Sequence, residues 1–343
     1  MVLKMLVATN LKKDYVLKYK KTFLKSEKQI KKAVSGVDIR INKGEIVGLL
    51  GVNGAGKTTT IKMLTTMISP SSGSIFIDDI DAVHNNMEAK KKINLITGGE
   101  RNIYWRLTAY ENLEYFGSLY GIPLKILSKR IDRVLKIVDL YNERDIPVEK
   151  YSKGMKQRLQ IARGLINEPE YLFMDEPTLG LDIMITQNIH QYIKKLAVEE
   201  NKGILITTHY IFEAEELCDY IYVINDGKIV AEGKPGEIRK MYTKKKNYEI
   251  SLDYIDDHRK QLIFERFEKG LNCMIVIDDS KVMVKSDKIS LQDVMAEFIE
   301  LNMYIKNIDI KEASLEDALF EIIKGEKNEI CESMFRRDEE TAS

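Results

Sequence analysis

Residues 51–58 read Gly51-Val52-Asn53-Gly54-Ala55-Gly56-Lys57-Thr58 and fit the pattern G-x-x-x-x-G-K-[ST]. Each residue type there has a chemical reason. Glycines let consecutive backbone N–H groups turn toward a triphosphate, and a helix N-terminus adds its positive end. Lys57 can bridge the outer phosphates and the Thr58 hydroxyl can ligate Mg²⁺. Asn53, Gly54, Ala55 and Thr59 complete the candidate nucleotide-binding set around Gly51, Gly56 and Lys57. A Gly-rich turn matches this pattern by chance in roughly one or two chains per hundred of this length. The context removes that reading. The apolar run Ile46–Leu50 before the loop has the form of a buried strand, and Thr59–Met67 after it has the form of a helix.

A second group lies far downstream. Asp175-Glu176 ends the apolar run Tyr171–Met174. A carboxylate at a strand tip beside a phosphate loop can hold Mg²⁺, and its neighbour can polarise an attacking water. Alone, such a pair is more often a solvated loop. Its position after the phosphate loop, followed by Pro177-Thr178-Leu179-Gly180-Leu181-Asp182, favours catalysis. His209 ends the next apolar run, Gly203–Thr208, where a lone histidine is by itself more often a satisfied surface or core residue.

These residues need a scaffold. A chain of 343 residues can bury a full core and form two domains. Lys+Arg and Asp+Glu both number 53, which gives no electrostatic reason to expect nucleic acid. No apolar run approaches the ~18–20 residues a spanning helix needs, and Met1–Asn10 reads as a strand rather than a signal peptide. Cys218, Cys273 and Cys331 are too few and scattered for a disulfide scaffold or a zinc site and suit a reducing, intracellular setting.

Residues 1–45 read as strands and a long hairpin, and the nine lysines between Lys12 and Lys32 read as a solvated surface. Gly73–Asp78 reads as a strand. Residues 108–165 carry helical periodicity, opened by Thr108-x-x-Glu111. The runs at 171–174 and 203–208 suit a parallel sheet covered on both faces. Ile221–Glu232 reads as a hairpin turning at Asn225-Asp226-Gly227. Beyond a lysine-rich boundary the order is βαββαβ over 247–325, which predicts a ferredoxin-like domain. Its central strands lack a stacking aromatic, which argues against RNA. Residues 326–343 are charged and predicted to be a disordered tail.

The ordered motifs resemble the nucleotide-binding subunits of ABC transporters, over about residues 1–240. Tyr151-Ser152-Lys153-Gly154-Met155-Lys156-Gln157-Arg158 is similar to that family's LSGGQ signature. The resemblance implies a P-loop NTPase core of ABC type, α/β, with an antiparallel β-subdomain and a helical subdomain at about 97–165. It implies Asp175 and Thr58 as Mg²⁺ ligands, Glu176 as catalytic base and His209 as switch histidine. Ser152, Gly154 and Met155 would contact ATP held by a partner subunit, and Asp182 would belong to the loop crossing a head-to-tail dimer. It also implies an adenine-stacking aromatic, for which Tyr15 fits by local context and Tyr19 is the alternative. One departure stands out. The sensing-loop glutamine is replaced by Gly99. Glu100 substitutes for it, or solvent and backbone make the contact, or the register slips. The function expected is the ATPase subunit of a drug, antibiotic, peptide or polysaccharide exporter. It would be a homodimer or paralogous heterodimer, peripheral at the cytoplasmic face and bound to a separate membrane permease. A soluble ABC ATPase acting on ribosomes or DNA is the alternative. It is disfavoured by the single phosphate loop and the lack of sustained heptads.

Overall fold

The computed structural model describes residues 4–22, 25–98, 103–242, 246–271, 273–278, 280–286 and 289–311, with Leu315, Ala318, Leu319 and Ile322. Those last four are helical, and the other residues of 312–343, the tail 326–343 among them, lie outside the described residues.

The chain divides into two units, Met1–Pro235 and Gly236–Ser343. The first begins with two 18-residue strands, β1 (Met5–Thr22) and β2 (Lys25–Asn42), paired antiparallel from Met5↔Asn42 to Thr22↔Lys25. Then come β3 (Ile46–Leu50), α1 (Lys57–Leu64), β4 (Ser72–Ile77), β5 (Ile80–Asp81), α2 (Asn86–Lys92) and β6 (Ile93–Thr97). Three helices follow, α3 (Ala109–Leu119), α4 (Leu124–Ile137) and α5 (Lys153–Leu165). The unit closes with β7 (Tyr171–Asp175), α6 (Ile183–Val198), β8 (Gly203–Thr208), α7 (Ile211–Leu217), β9 (Tyr220–Asn225) and β10 (Lys228–Gly233). The helix α8 (Pro235–Tyr242) comes next in the chain.

Two sheets share one core. The larger runs β10-β9-β3-β8-β7-β6, with all neighbours parallel except the β9–β10 hairpin. The smaller is antiparallel, β2-β1-β4-β5. β3 and β8 are buried at every position because parallel strands are covered on both faces. Val47, Leu49, Tyr171 and Phe173 of the large sheet meet Leu6, Ile39 and Ile77 of the small one, with Ile61 and Leu64 of α1 in the same cluster. Each such side chain, fully buried, contributes about 1.5–3 kcal/mol of transfer free energy.

α3 starts where its sequence says it should. The Thr108 hydroxyl accepts from Glu111 N at 3.1 Å, and the Glu111 carboxylate accepts from Thr108 N at 2.7 Å. Neither α2 nor β6 was expected as a separate element. Both belong to the mixed stretch Asn86–Thr97, whose apolar residues follow no single period.

The second unit contains β11 (Lys246–Leu252), α9 (Asp257–Ile263) continuing as a π-helix over Phe264–Gly270, β12 (Met274–Asp278), β13 (Lys281–Ser286), α10 (Leu291–Glu300) and β14 (Ile305–Lys311). Its antiparallel sheet has the order β12-β13-β11-β14. Tyr248, Ile250, Val282 and Val284 on one sheet face pack with Phe267 and Phe298, whose rings lie 5.0 Å apart.

Candidate functional site

The parallel registers bring the strand tips level. Leu50 pairs with Thr208, Thr207 with Asp175, and Asp175 with Thr97. The loops leaving β3, β8, β7 and β6 therefore start side by side at the carboxyl edge of the sheet, where open α/β sheets bind ligands.

The phosphate loop is held by the turn of the β9–β10 hairpin. Gly227 N donates to Ala55 O at 2.9 Å, and Ser35 N donates to Gly227 O at 2.8 Å. A Cβ on Gly51 would lie 2.3 Å from Ile224 O, so only glycine fits there. Gly56 has φ +114°, the left-handed region, and turns the chain into α1. Asn53, Gly54 and Thr58 are exposed, Thr59 is half-buried and Ala55 is buried. Lys57 is 5% exposed, and its Nζ donates to Gly51 O at 2.6 Å and Val52 O at 3.2 Å. Burial pushes the Lys57 ammonium below its ordinary range, while the charges of Glu176 and Asp175 oppose that shift. The lysine thus faces both carboxylates, and its bonds to the loop carbonyls can be exchanged for phosphate oxygens.

Thr207 ties the two acidic residues to β8. Its Oγ1 donates to Asp175 Oδ1 at 2.5 Å, and Glu176 N donates to Thr207 O at 3.1 Å and to its Oγ1 at 3.2 Å. Glu176 has φ +51°, a left-handed backbone that costs a non-glycine residue about 1 kcal/mol or more. His209 Nδ1 lies 3.2 Å from Glu176 Oε1. Lys57, Asp175, Glu176 and His209 therefore form one constellation. Among the described residues no group of three His, Cys, Asp or Glu could hold a metal. A single strand-tip carboxylate suits Mg²⁺, which keeps waters and shares phosphates rather than filling an all-protein cage.

The signature residues line a different cavity, of about 350 Å³, between the start of α5 and α6. Ser152 caps α5, its Oγ accepting from Met155 N at 3.2 Å, and Gly154 packs against Ile185. Ser152, Gly154, Met155, Asn188 and Tyr192 border this cavity. Lys153 Nζ donates to Gly180 O, bracing the signature to the loop that follows Glu176. Asp182 ends that loop as the cap of α6, accepting from Ile185 N at 2.9 Å.

Tyr15 lies on β1, 37% exposed, with Lys13 Nζ 5.6 Å from its ring centroid. Its register partner Lys31 is two residues from Ala33, whose carbonyl abuts Gly56, so Tyr15 lies in the stretch of the hairpin next to the one that meets the phosphate loop. Tyr19's side chain, Gly99 and Glu100 lie outside the described residues; Gly98, just before them, donates its N–H to Asp175 O at 2.9 Å. Sequence reasoning missed Thr207 as a carboxylate anchor and the hairpin turn as the back wall of the phosphate loop. The signals were the hydroxyl directly before Thr208-His209 and the Asn225-Asp226-Gly227 turn itself.

Tyr104 and Trp105, each 47% exposed, stand on the helical segment. The buried Asn112 holds their loop, accepting from Tyr104 N at 2.7 Å and donating to Tyr104 O at 2.9 Å and Thr108 O at 2.8 Å. Lys156 Nζ lies 4.3 Å from the Trp105 ring. Trp105 is therefore not a core residue.

This geometry agrees with the comparisons. The family model described as ABC transporter matches residues 34–179. ABC transporter ATP-binding protein NatA of Bacillus subtilis (strain 168) is 41% identical over 207 residues, covering 60% of this chain and 84% of NatA. Bacitracin transport ATP-binding protein BcrA of Bacillus licheniformis is 36% identical over 294 residues, 86% of this chain and 93% of BcrA. The dimeric post-hydrolysis structure of the ATP-binding cassette MJ0796 bound to ADP and Pi superposes with a TM-score of 0.57 at 28% identity, covering 67% of this chain and 98% of that one. The chain belongs to the ATP-binding proteins of ABC transporters, and it is an ATPase of that class. Among the described residues no helix is long and apolar enough to cross a membrane.

Proposed function

We propose that this chain is the energising subunit of an exporter that moves drugs, antibiotics or similar amphiphiles, and that it works as a head-to-tail dimer on a separate membrane permease. The observation that carries the hydrolytic part is the level row of strand tips, which gathers Lys57, Asp175, Glu176 and His209 at one point. Lys57 and the loop N–H groups bind the outer phosphates of ATP. Asp175 and Thr58 would hold Mg²⁺, which when bound would supply charge neutralisation at the γ-phosphate. Glu176 takes the proton of the attacking water, and His209 fixes the Glu176 carboxylate. Tyr15 stacks on adenine.

The distribution of parts supports the dimer. The signature lies at a helix start whose N–H groups suit a γ-phosphate, yet it lines its own cavity. A second copy supplying its signature to this site resolves that separation, and the dimeric MJ0796 structure supports the arrangement. The likeness to a bacitracin transport protein over 294 residues reaches beyond the first unit and supports the export of antibiotic-like cargo. Tyr104 and Trp105 form the permease anchor, which makes the protein peripheral at the inner membrane face. Residues 247–325 are a ferredoxin-like accessory domain whose strand order, second–third–first–fourth, supports that assignment.

The test pairs two variants. Glu176→Gln keeps ATP binding, loses turnover by orders of magnitude and accumulates an ATP-bound dimer. Combining it with Ser152→Arg prevents that dimer while each subunit still binds ATP. Wild-type turnover in Glu176→Gln refutes the base assignment, and an ATP dimer that survives Ser152→Arg refutes the head-to-tail arrangement.

A further inference from the structure

Behind the site lies a buried ionic group that the proposed hydrolysis does not use. His190 on α6 is 2% exposed, and Glu213 on α7 is 4% exposed. His190 Nε2 lies 3.1 Å from Glu213 Oε1, and Nδ1 lies 3.2 Å from Glu216 Oε2. A neutral imidazole carries one N–H, so a ring donating to two ionised carboxylates is the imidazolium. Glu213 Oε1 also accepts from the buried Thr178 hydroxyl at 2.6 Å.

The connections decide what this group does. Thr178 lies two residues after Glu176, in the loop that ends at Asp182, the cap of α6. Glu213 lies four residues after His209, on the helix entered directly from the His209 segment. One carboxylate oxygen thus joins the Glu176 loop to the His209 segment, and His190 holds that carboxylate from a third element.

We propose that His190 is a positioning residue for ATP hydrolysis: its imidazolium orients Glu213, which through Thr178 fixes the 176–182 loop relative to His209. This rests on the reading that Glu176 and His209 act at the γ-phosphate. A buried carboxylate deprived of its cation shifts or takes up a proton, and in either case its grip on Thr178 changes.

The surroundings favour the charged ring. Burial opposes the charge on His190, but the hydrogen bonds and charges of Glu213 and Glu216 outweigh it and lift its pKa above the ordinary imidazole value. Burial likewise opposes the Glu213 charge, and the hydrogen bonds from His190 and Thr178 hold its carboxyl below the usual range. Lys194 Nζ, 4.0 Å from Glu216 Oε1, is the other cation of the group. The Cys218 thiol senses the Glu213 charge, but burial keeps it protonated. The sign follows. The imidazolium is complete below the ordinary pKa and is lost as pH rises through the raised one, so positioning fails on the alkaline side.

The experiment measures ATP turnover of the full chain from about pH 6 to about pH 9 in wild type, His190→Phe, Thr178→Val and Glu176→Gln. Both His190→Phe and Thr178→Val should lower kcat about tenfold with KM for ATP within about twofold. The alkaline fall of the wild type should be absent in His190→Phe. Wild-type kcat and pH profile in His190→Phe overturn the proposal, as does a defect confined to KM. If His190→Phe does not fold, Thr178→Val decides alone: unchanged kcat refutes the link. Glu176→Gln separates the two readings, because its full activity refutes the base assignment whereas its silence beside an unaffected His190→Phe refutes only the positioning role.

Discussion

Thr207→Val isolates one hydroxyl. Valine keeps the β-branched shape that suits the fully buried position on β8, so strand and packing are preserved. What is lost is the donor to Asp175 Oδ1 at 2.5 Å and a second acceptor for Glu176 N, which retains Thr207 O at 3.1 Å. A hydrogen bond to a charged acceptor is worth about 1.5–3 kcal/mol. If it serves to aim Asp175, that energy appears in the barrier as roughly a ten- to hundredfold fall in turnover. The assay is steady-state ATP hydrolysis with Mg²⁺ titrated, alongside calorimetric ATP affinity without metal. We expect lower kcat and a higher Mg²⁺ concentration for half-maximal turnover with metal-free affinity unchanged, because Lys57 and the phosphate loop are untouched. Turnover within twofold of wild type, in a variant of unchanged melting temperature, would show that the Thr207 bond does not orient the carboxylate.

Three further outcomes are expected. Lys57→Ala should weaken ATP binding itself by roughly ten- to hundredfold, the worth of the charge-assisted hydrogen bonds that alanine cannot make to phosphate; calorimetry showing wild-type affinity in a folded variant removes the loop as a nucleotide site. Gly51→Ala forces a methyl to within 2.3 Å of Ile224 O, so overpacking should cost about 1–3 kcal/mol. An unshifted thermal melt contradicts that. Trp105→Ala should change subunit stability by no more than about 2 kcal/mol, the scale of a cation–π contact between a half-exposed ring and a buried lysine, and leave basal hydrolysis intact while abolishing membrane association. Normal recruitment and export exclude Trp105 from the docking surface.

What could be read from the chain alone was mostly local. The phosphate loop, the turn at Asn225–Gly227 and the capping box of α3 are each written within a few consecutive residues, so short-range chemistry identified them. The strand β6 escaped because Asn94 interrupts its apolar run; that asparagine is stabilised by Asn167, distant in sequence, at 2.7 Å. Thr207, His190 and Glu213 escaped for a related reason. Each meets its partner only through sheet register or helix packing, and a lone threonine, histidine or glutamate carries no periodic signature. Continuous helical periodicity likewise gave no warning of the π-helical turn after α9.

The left-handed backbone of Glu176 limits which residues can replace it. At φ +51°, asparagine, aspartate and glycine are accommodated readily, and glutamine inherits the strain the glutamate already bears. Valine, isoleucine and threonine would add steric conflict to loss of the carboxylate. Tolerance scanned across all twenty amino acids at this position should therefore split along two axes: activity following the carboxylate, and abundance of folded protein following the backbone. If Glu176 is the base proposed above, a glycine there would give a silent but well-folded subunit, useful as the inert half of a mixed dimer.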